Sequence, residues 1–396
     1  MSTERTVVIW RSALLSASET FVRDQADALA RWRPRFLGAT RVGSALARDT
    51  DVVAYPGGRR DSVAFARLRV TGRSPRLLAL LRAARPDLVH AHFGGDGWLI
   101  SRAAAHLRVP LVVTVHGHDV SRQPASAGIR GIRYRHNLRV VFDRAAVVLA
   151  VSGAIRDRAV TLGADPAKVR VHHTGVPVPA AVPCLPRRWD VAFVGRLIEK
   201  KGVTDLLTAL ATLRPHRPRV LIVGGGPLEL QLRTDARRLG VEVTFAGVRT
   251  PAEVRDLLAQ SRLLAAPSKT APDGDSEGLP TTIVEASALG LPVVSTRHSG
   301  IGEAVVDGTT GLLGPEGDVP ALAANLRRLL ADEDLCRRLG RAGRDHVAAR
   351  FDVRAQTRLL EDIYDDLVGL PRGGPGPPAG ALRHRHLRRR AQTPES

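Results

Sequence analysis

Short apolar runs ending in polar or glycine-rich loops recur along this chain, separated by stretches with helical spacing. In the first half the runs are RTVVIW (5–10), DLVHAHF (87–93), PLVVTVHG (110–117) and AAVVLAVS (145–152). Their β-branched content reads as strand, and segments such as 20–32 and 154–163 read as the helices between them. A second series follows: DVAFVG (190–195), RVLIVGGG (219–226), VTFAG (243–247), RLLAAPS (262–268) and LPVVST (291–296), alternating with helices at 203–213 and 251–260. Between the two series the prolines of GVPVPAAVPCLP (175–186) mark a linker. The pattern predicts an α/β protein of two Rossmann-like, doubly wound parallel sheets. Ligands of such sheets bind beyond the carboxyl ends of the strands, so two facing sheets place a site in the cleft between them.

The residues that follow the strands are therefore the candidates for chemistry. DGDSEGLPTTIVEA (273–286) sets four carboxylates around a Gly-Leu-Pro turn. Pro280 fits the first turn of a helix running to about Leu289, with Gly290 as its stop. The amides of Thr281, Thr282 and Ile283 at its start, with two hydroxyls, suit an anion. Glu285, one turn deeper on the same face as Thr281, suits the vicinal hydroxyls of a sugar, and Glu277 faces whatever lies beyond the phosphate. GRLIEKKG (195–202) adds Arg196 and Lys201 after Gly195, a bidentate cation and a point charge matched to a diphosphate; a solvated loop is the plainer reading. Gly224–Gly226 would allow close backbone approach but do not form a dinucleotide fingerprint.

Composition changes this picture in two places. The 396 residues are 44% apolar, enough for two ordinary cores, but only 4% aromatic. Arginine outnumbers lysine 55 to four (Lys168, Lys200, Lys201, Lys269), so arginine alone says little and two lysines in one loop say more. Residues 1–180 carry 28 Lys+Arg against 13 Asp+Glu, residues 181–370 carry 25 of each, and residues 371–396 six against one. The positive excess lies in the first half, with Arg33, Arg35, Arg41, Arg59, Arg60, Arg67, Arg69, Arg73 and Arg76 in one early stretch. That stretch reads either as an anionic membrane contact or as compositional bias on a solvated surface. Few aromatics and no helix-turn-helix or zinc-finger spacing argue against nucleic acid. Cys184 and Cys336 make no disulfide framework, no signal-peptide core is visible, and no apolar run approaches the roughly 20 residues of a membrane span, so a cytoplasmic, at most peripheral protein is expected.

GRLIEKKG, VGGGP, FAGV, EGLPTTIVEA with its Glu-x7-Glu spacing, and LGLPVVST, in this order, resemble the donor half of the retaining glycosyltransferases of family four, which have the GT-B fold. TVHGHD, VLAVS and VRVHHTGV are similar to that family's acceptor half and hinge, and SETFVRDQ, HAHFG and DGDSEGLP to its exopolysaccharide and lipid-linked glycan enzymes. The resemblance spans about residues 5–368. It implies an acceptor domain over 1–175, a donor domain over 176–350 and a helix over 351–370 crossing back to the first domain; after it the Pro/Gly stretch PRGGPGPPAG and the basic run LRHRHLRRR by their composition predict a disordered tail over 371–396. It implies that Arg196 and Lys201 stabilise the departing nucleoside diphosphate, that Glu285 binds the ribose, that Glu277 lies over the donor sugar and that His116 reaches the transferred sugar. Donor contacts are implied at Gly195, Gly225, Leu279, Pro280, Thr281 and Thr282, and at Val248 within the base-holding stretch 245–249. The expected donor is a UDP- or GDP-sugar, the acceptor a glycan or polyprenyl-diphosphate-linked glycan at a membrane, and the chemistry retaining, with neither cofactor nor metal. Two departures stand out: SASETF replaces a Gly-Gly turn after the first strand, and HHTGV replaces Asn-Gly-Val-Asp, so no role passes to Thr174.

Other readings of the same residues compete. Asp273 and Asp275 mimic a metal-binding Asp-x-Asp, and His90, His92, His116 and His118 with Asp119 could hold zinc, against a polar cleft wall. A hydrolase using Glu277 and Glu285 is disfavoured by the helix position of Glu285 beside the expected phosphates, and no G-x-S-x-G is present. A sugar-nucleotide epimerase or a non-catalytic sugar-nucleotide-binding protein would share the fold and the diphosphate grip.

Overall fold

The computed structural model describes residues 5–16, 18–182, 185–213 and 217–370. The basic tail and Cys184 lie outside them. The first sheet contains β1 (Arg5–Leu14), β2 (Trp32–Arg41), β3 (Val52–Val53), β4 (Leu88–His92), β5 (Leu111–Val115), β6 (Val147–Ala150) and β7 (Val169–Val171) in the order 3-2-1-4-5-6-7. The second contains β8 (Trp189–Val194), β9 (Val220–Val223), β10 (Val243–Gly247), β11 (Ser261–Ala266), β12 (Val293–Thr296) and β13 (Gly311–Gly314) in the order 10-9-8-11-12-13. Every pairing is parallel. Each order reverses direction beside the first strand of its half, the switch point at which a doubly wound sheet opens a crevice.

The near-continuous Val, Ile, Leu and Ala of β4, β5, β6, β9 and β12 follow from burial on both faces, because helices cover each sheet above and below. Several elements differ from the reading of the pattern. The helix expected over 20–32 is Thr20–Asp27, and the chain then enters β2, which the pattern did not show. Pro34, Arg33 and Arg35 interrupt the apolar alternation of β2 near its start, and Pro34 sits opposite Val7. The last strands of the two halves were not read either: β7 is three residues long, and β13 is Gly-Leu-Leu-Gly, with only two apolar side chains.

The helix Val353–Leu367 packs against the first sheet, not the second. Leu360 and Tyr364 enter the cluster of Val7, Ile9, Val22 and Trp32, and Glu361 accepts from the amides of Ala30 and Arg31. Its approach is pinned by a bridge between Val176 and Asp352, so the chain crosses between the domains twice at one place.

Candidate active site

The carboxyl ends of both sheets border one cleft of about 1240 Å³. His116, Gly195, Arg196, Lys201, Gly225, Val248, Glu277, Leu279, Pro280, Thr281, Thr282 and Glu285 all line it. Residues scattered over 170 positions meet because each follows a strand whose end points the same way.

On the second-domain side, Gly195 and the exposed Arg196 follow β8, and a 3-10 turn Glu199–Lys201 carries the lysines back over β11. Gly202 makes that return possible: it has φ 65°, and a Cβ there would lie 1.9 Å from the Pro267 carbonyl oxygen. Lys201 Nζ lies 3.0 Å from Glu277 Oε1. Burial would push the Glu277 carboxyl up, but Lys201 and then Lys200 outweigh it and hold the group below its ordinary value, an ionised carboxylate. The main chain at Glu277 is fixed from both sides: its N–H donates to His298 Nε2 at 3.0 Å, and Ser299 Oγ donates to its carbonyl at 2.6 Å.

The helix after this loop is Thr281–Ala288, so Pro280 is its N-cap and not part of its first turn. Ile283 also departs from expectation, because its amide is spent on the Pro280 carbonyl at 3.1 Å. The anion-binding end is thus Thr281 and Thr282. Glu285 behaves unlike Glu277: burial, then Asp24 across the cleft, raise its pKa to about 7, with Arg255 opposing. A ligand's hydroxyls would find there a carboxyl poised between its two protonation states.

On the first-domain side, His116 Nε2 lies 3.2 Å from His92 Nδ1, and its ring packs between Phe21 and Phe93 at 4.9 and 4.4 Å. Burial, then Arg11 and His90, hold His116 well below its ordinary value, so it is neutral. The four histidines do not form one cleft wall. His90 and His92 share a face of β4 that the Val353–Leu367 helix covers, and His90 bonds Tyr364 Oη at 2.6 Å and Thr114 Oγ1 at 2.7 Å; only His116 and His118 reach the cleft.

Two groups were missed by the sequence reading. Arg11, within β1, makes a bidentate pair with Glu19, a pair with Asp96 and a bond to the His92 carbonyl, all buried. Glu19 belongs to the SASETF segment, which is thus tied back to β1 through this ion pair. Nothing distinguishes Arg11 among 55 arginines in a sequence. The second group is Lys200 with Asp275, 3.1 Å apart. Asp275 falls to about 2, because His118 and Lys200 outweigh its burial, and Asp273 pairs with Arg122 at 2.7 Å. Both acids of the Asp-x-Asp are committed to cations. Among the described residues no cluster of His, Cys, Asp and Glu is arranged to hold a metal ion.

The early arginines separate into two regions. Arg33 and Arg41 stand at opposite ends of β2, about 26 Å apart at about 3.3 Å per residue. Arg59, Arg60 and Arg67 lie on the helix Arg59–Thr71, where Leu68 alone is buried and Val63 and Val70 are exposed. Next to it runs the helix Gly128–Arg144, joined by Arg133 donating to the Arg69 carbonyl at 2.6 Å, with Ile129 and Ile132 81% and 61% exposed. No helix among the described residues is long and apolar enough to cross a membrane.

Two family models match the chain: Glycosyltransferase Family 4 over residues 18–178 and Glycosyl transferases group 1 over residues 185–346. A putative colanic acid biosynthesis glycosyltransferase of Salmonella typhimurium is 32% identical over 294 residues, 71% of each chain. A GDP-mannose-dependent α-(1-6)-phosphatidylinositol monomannoside mannosyltransferase of Mycobacterium tuberculosis is 31% identical over 367 residues, 86% of this chain and 90% of that one. Among solved structures, Anabaena HepE in complex with UDP superposes with a TM-score of 0.73 at 22% identity, covering 91% of this chain and all of that one.

Proposed function

The chain belongs to glycosyltransferase family 4 and has the GT-B fold, and from that premise we propose that it moves a hexose from a UDP- or GDP-sugar to a glycan or polyprenyl-diphosphate-linked acceptor in exopolysaccharide or cell-envelope glycan synthesis. The observation that carries the reading is the single cleft in which Arg196, Lys201 and the Thr281–Thr282 helix end face a neutral His116 across the domain boundary. The similarity to a colanic acid enzyme supports the pathway class, and the mannosyltransferase supports a lipid-borne acceptor.

In this reading Arg196, Lys201 and the helix amides hold the donor diphosphate and stabilise the charge that grows on it as the glycosidic bond breaks. Glu285 accepts from the ribose hydroxyls. Glu277, kept ionised by its lysines, orients the sugar hydroxyls and offsets positive charge on the ring. The acceptor hydroxyl attacks from the face that the diphosphate leaves, a diphosphate oxygen takes its proton, and configuration is retained. Cationic side chains take the place of a divalent metal, so turnover survives EDTA. The apolar side chains Val63, Val70, Ile129 and Ile132 among Arg59, Arg60, Arg67, Arg130 and Arg133 support peripheral binding of the first domain to the cytoplasmic face of an anionic membrane.

A thermal-shift panel of UDP, GDP and ADP and their hexose conjugates tests the donor assignment. One base family is expected to raise the melting temperature through mass action, and Arg196→Ala with Lys201→Ala to abolish the shift. No shift with any nucleotide at millimolar concentration sinks the reading.

A further inference from the structure

We propose that Lys200, anchored by Asp275, is a positioning residue that keeps Glu277 in place and ionised when the donor diphosphate draws Lys201 away, and that the Asp273–Ser276 segment makes this support depend on closure of the two domains. The inference rests on the roles given above to Glu277 and Lys201.

Two lysines adjoin one carboxylate but are differently engaged. Lys201 Nζ is 3.0 Å from Glu277 Oε1 and borders the open cleft. Lys200 Nζ is 3.9 Å from the same oxygen, 3.1 Å from Asp275 Oδ1 and 3.2 Å from the Ser276 carbonyl, and its side chain is 6% exposed. Its ammonium is already surrounded by protein oxygens and has little freedom to reach a ligand. Lys201 has one protein partner and faces the place where the diphosphate belongs. Once phosphate oxygens compete for Lys201, a buried Glu277 with no other cation would take up a proton, because burial alone favours the neutral acid. Lys200 remains as its fixed counter-ion.

The other groups around Glu277 do not replace it. His298 Nε2 is occupied as acceptor of the Glu277 amide, and its Nδ1 faces Glu316 at 2.7 Å. From the first domain His116 is held neutral, and Asp119 is spent on the amides of Gly94, His116 and Gly117. Arg196 borders the cleft and belongs to the diphosphate.

The segment that anchors Lys200 is tied to the opposite domain at several points. Asp275 Oδ1 is 3.5 Å from His118 Nδ1, the Ser276 amide donates to Ser121 Oγ at 3.3 Å, Arg158 donates to Ser276 Oγ at 3.3 Å, and Asp273 pairs with Arg122. Gly278 completes the seam: a Cβ there would lie 1.8 Å from the His116 carbonyl oxygen. Opening the domains breaks these ties, and with them the fixed position of Asp275.

The test uses the full chain and the sugar nucleotide selected by the panel, UDP-glucose or GDP-mannose, following release of nucleoside diphosphate against pH. Lys200→Met is expected to lower kcat about 10- to 100-fold and to move the acidic limb of its pH profile up by about one unit, the direction set by loss of a neighbouring cation. The Kd for the free nucleoside diphosphate stays within about threefold, and Lys200→Arg restores most of kcat. His118→Ala moves the same limb the same way by less. Wild-type kcat and an unmoved limb in Lys200→Met overturn the proposal; so does a weakened Kd with unchanged kcat, which would make Lys200 a phosphate ligand. If the methionine variant does not fold, Lys200→Gln, which also removes the cation, carries the same pH test. Wild-type release by Glu277→Gln and Lys201→Ala would instead remove the underlying reading of the site.

Discussion

The two walls of the cleft manage charge in opposite ways. On the first-domain wall charges are matched within the protein: Arg11 is enclosed by Glu19 and Asp96, Asp119 accepts three backbone amides, and His116 in the cleft and His90 and His92 behind it are neutral. On the second-domain wall cations line the cavity itself, with the exposed Arg196, the half-buried Lys201 and an unspent helix end. A wall whose charges are internally satisfied is a scaffold, because no ligand gains by displacing buried partners. A wall that keeps cations at the cavity surface leaves charge for a ligand to meet, as the proposed diphosphate would. The comparison therefore assigns rigidity to one side and ligand charge to the other.

The sharpest way to break that contrast is Arg11→Met. Removing one member of a buried ion network costs about 3–5 kcal/mol, so chemical denaturation should show a large loss of stability while the folded fraction keeps its affinity for nucleoside diphosphate. Wild-type stability with lost turnover would make the first wall catalytic. On the opposite wall, Lys201→Ala should lower turnover about 10²- to 10³-fold, the usual cost of one preorganised charge-stabilising group, with little change in the melting curve.

A subtler difference concerns Glu285. Its folded pKa of about 7 exceeds that of an unfolded glutamate, so the folded state binds the extra proton more tightly. Stability from this group is present below the ordinary glutamate range and is lost as pH rises through about 7. Melting temperature of the free protein should fall over that window, and Glu285→Gln should flatten the slope; an unchanged slope in the variant would refute it. The smallest expected effect lies outside the cleft. Arg59→Gln or Arg67→Gln should each weaken sedimentation with anionic vesicles about fivefold, from about 1 kcal/mol per basic residue near the surface, and raised salt should weaken it further. Equal binding to neutral vesicles would show that charge does not carry the contact.

The two sheets and the loops that line the second-domain side of the cleft were legible in the sequence. Buried parallel strands must be apolar throughout and must end in loops on one side, so Gly195, Arg196, Lys201, Gly225 and the Glu277–Glu285 pair could be read in order from local strand–loop–helix units. Only the tertiary structure decided β2, whose Pro34 and arginines hide an element held by its pairing with β1. The same holds for the partners of charged groups. Arg11 finds Asp96 across 85 positions, Asp275 finds Lys200 across 75, and Ser276 meets Ser121 across 155. The acids of DGDS looked like metal ligands or solvated turn residues because a carboxylate's role depends on the cation it meets. Lys200 meets Asp275 through the packing of one domain and Arg122 meets Asp273 where the two domains join, and a linear sequence carries no local signal for either.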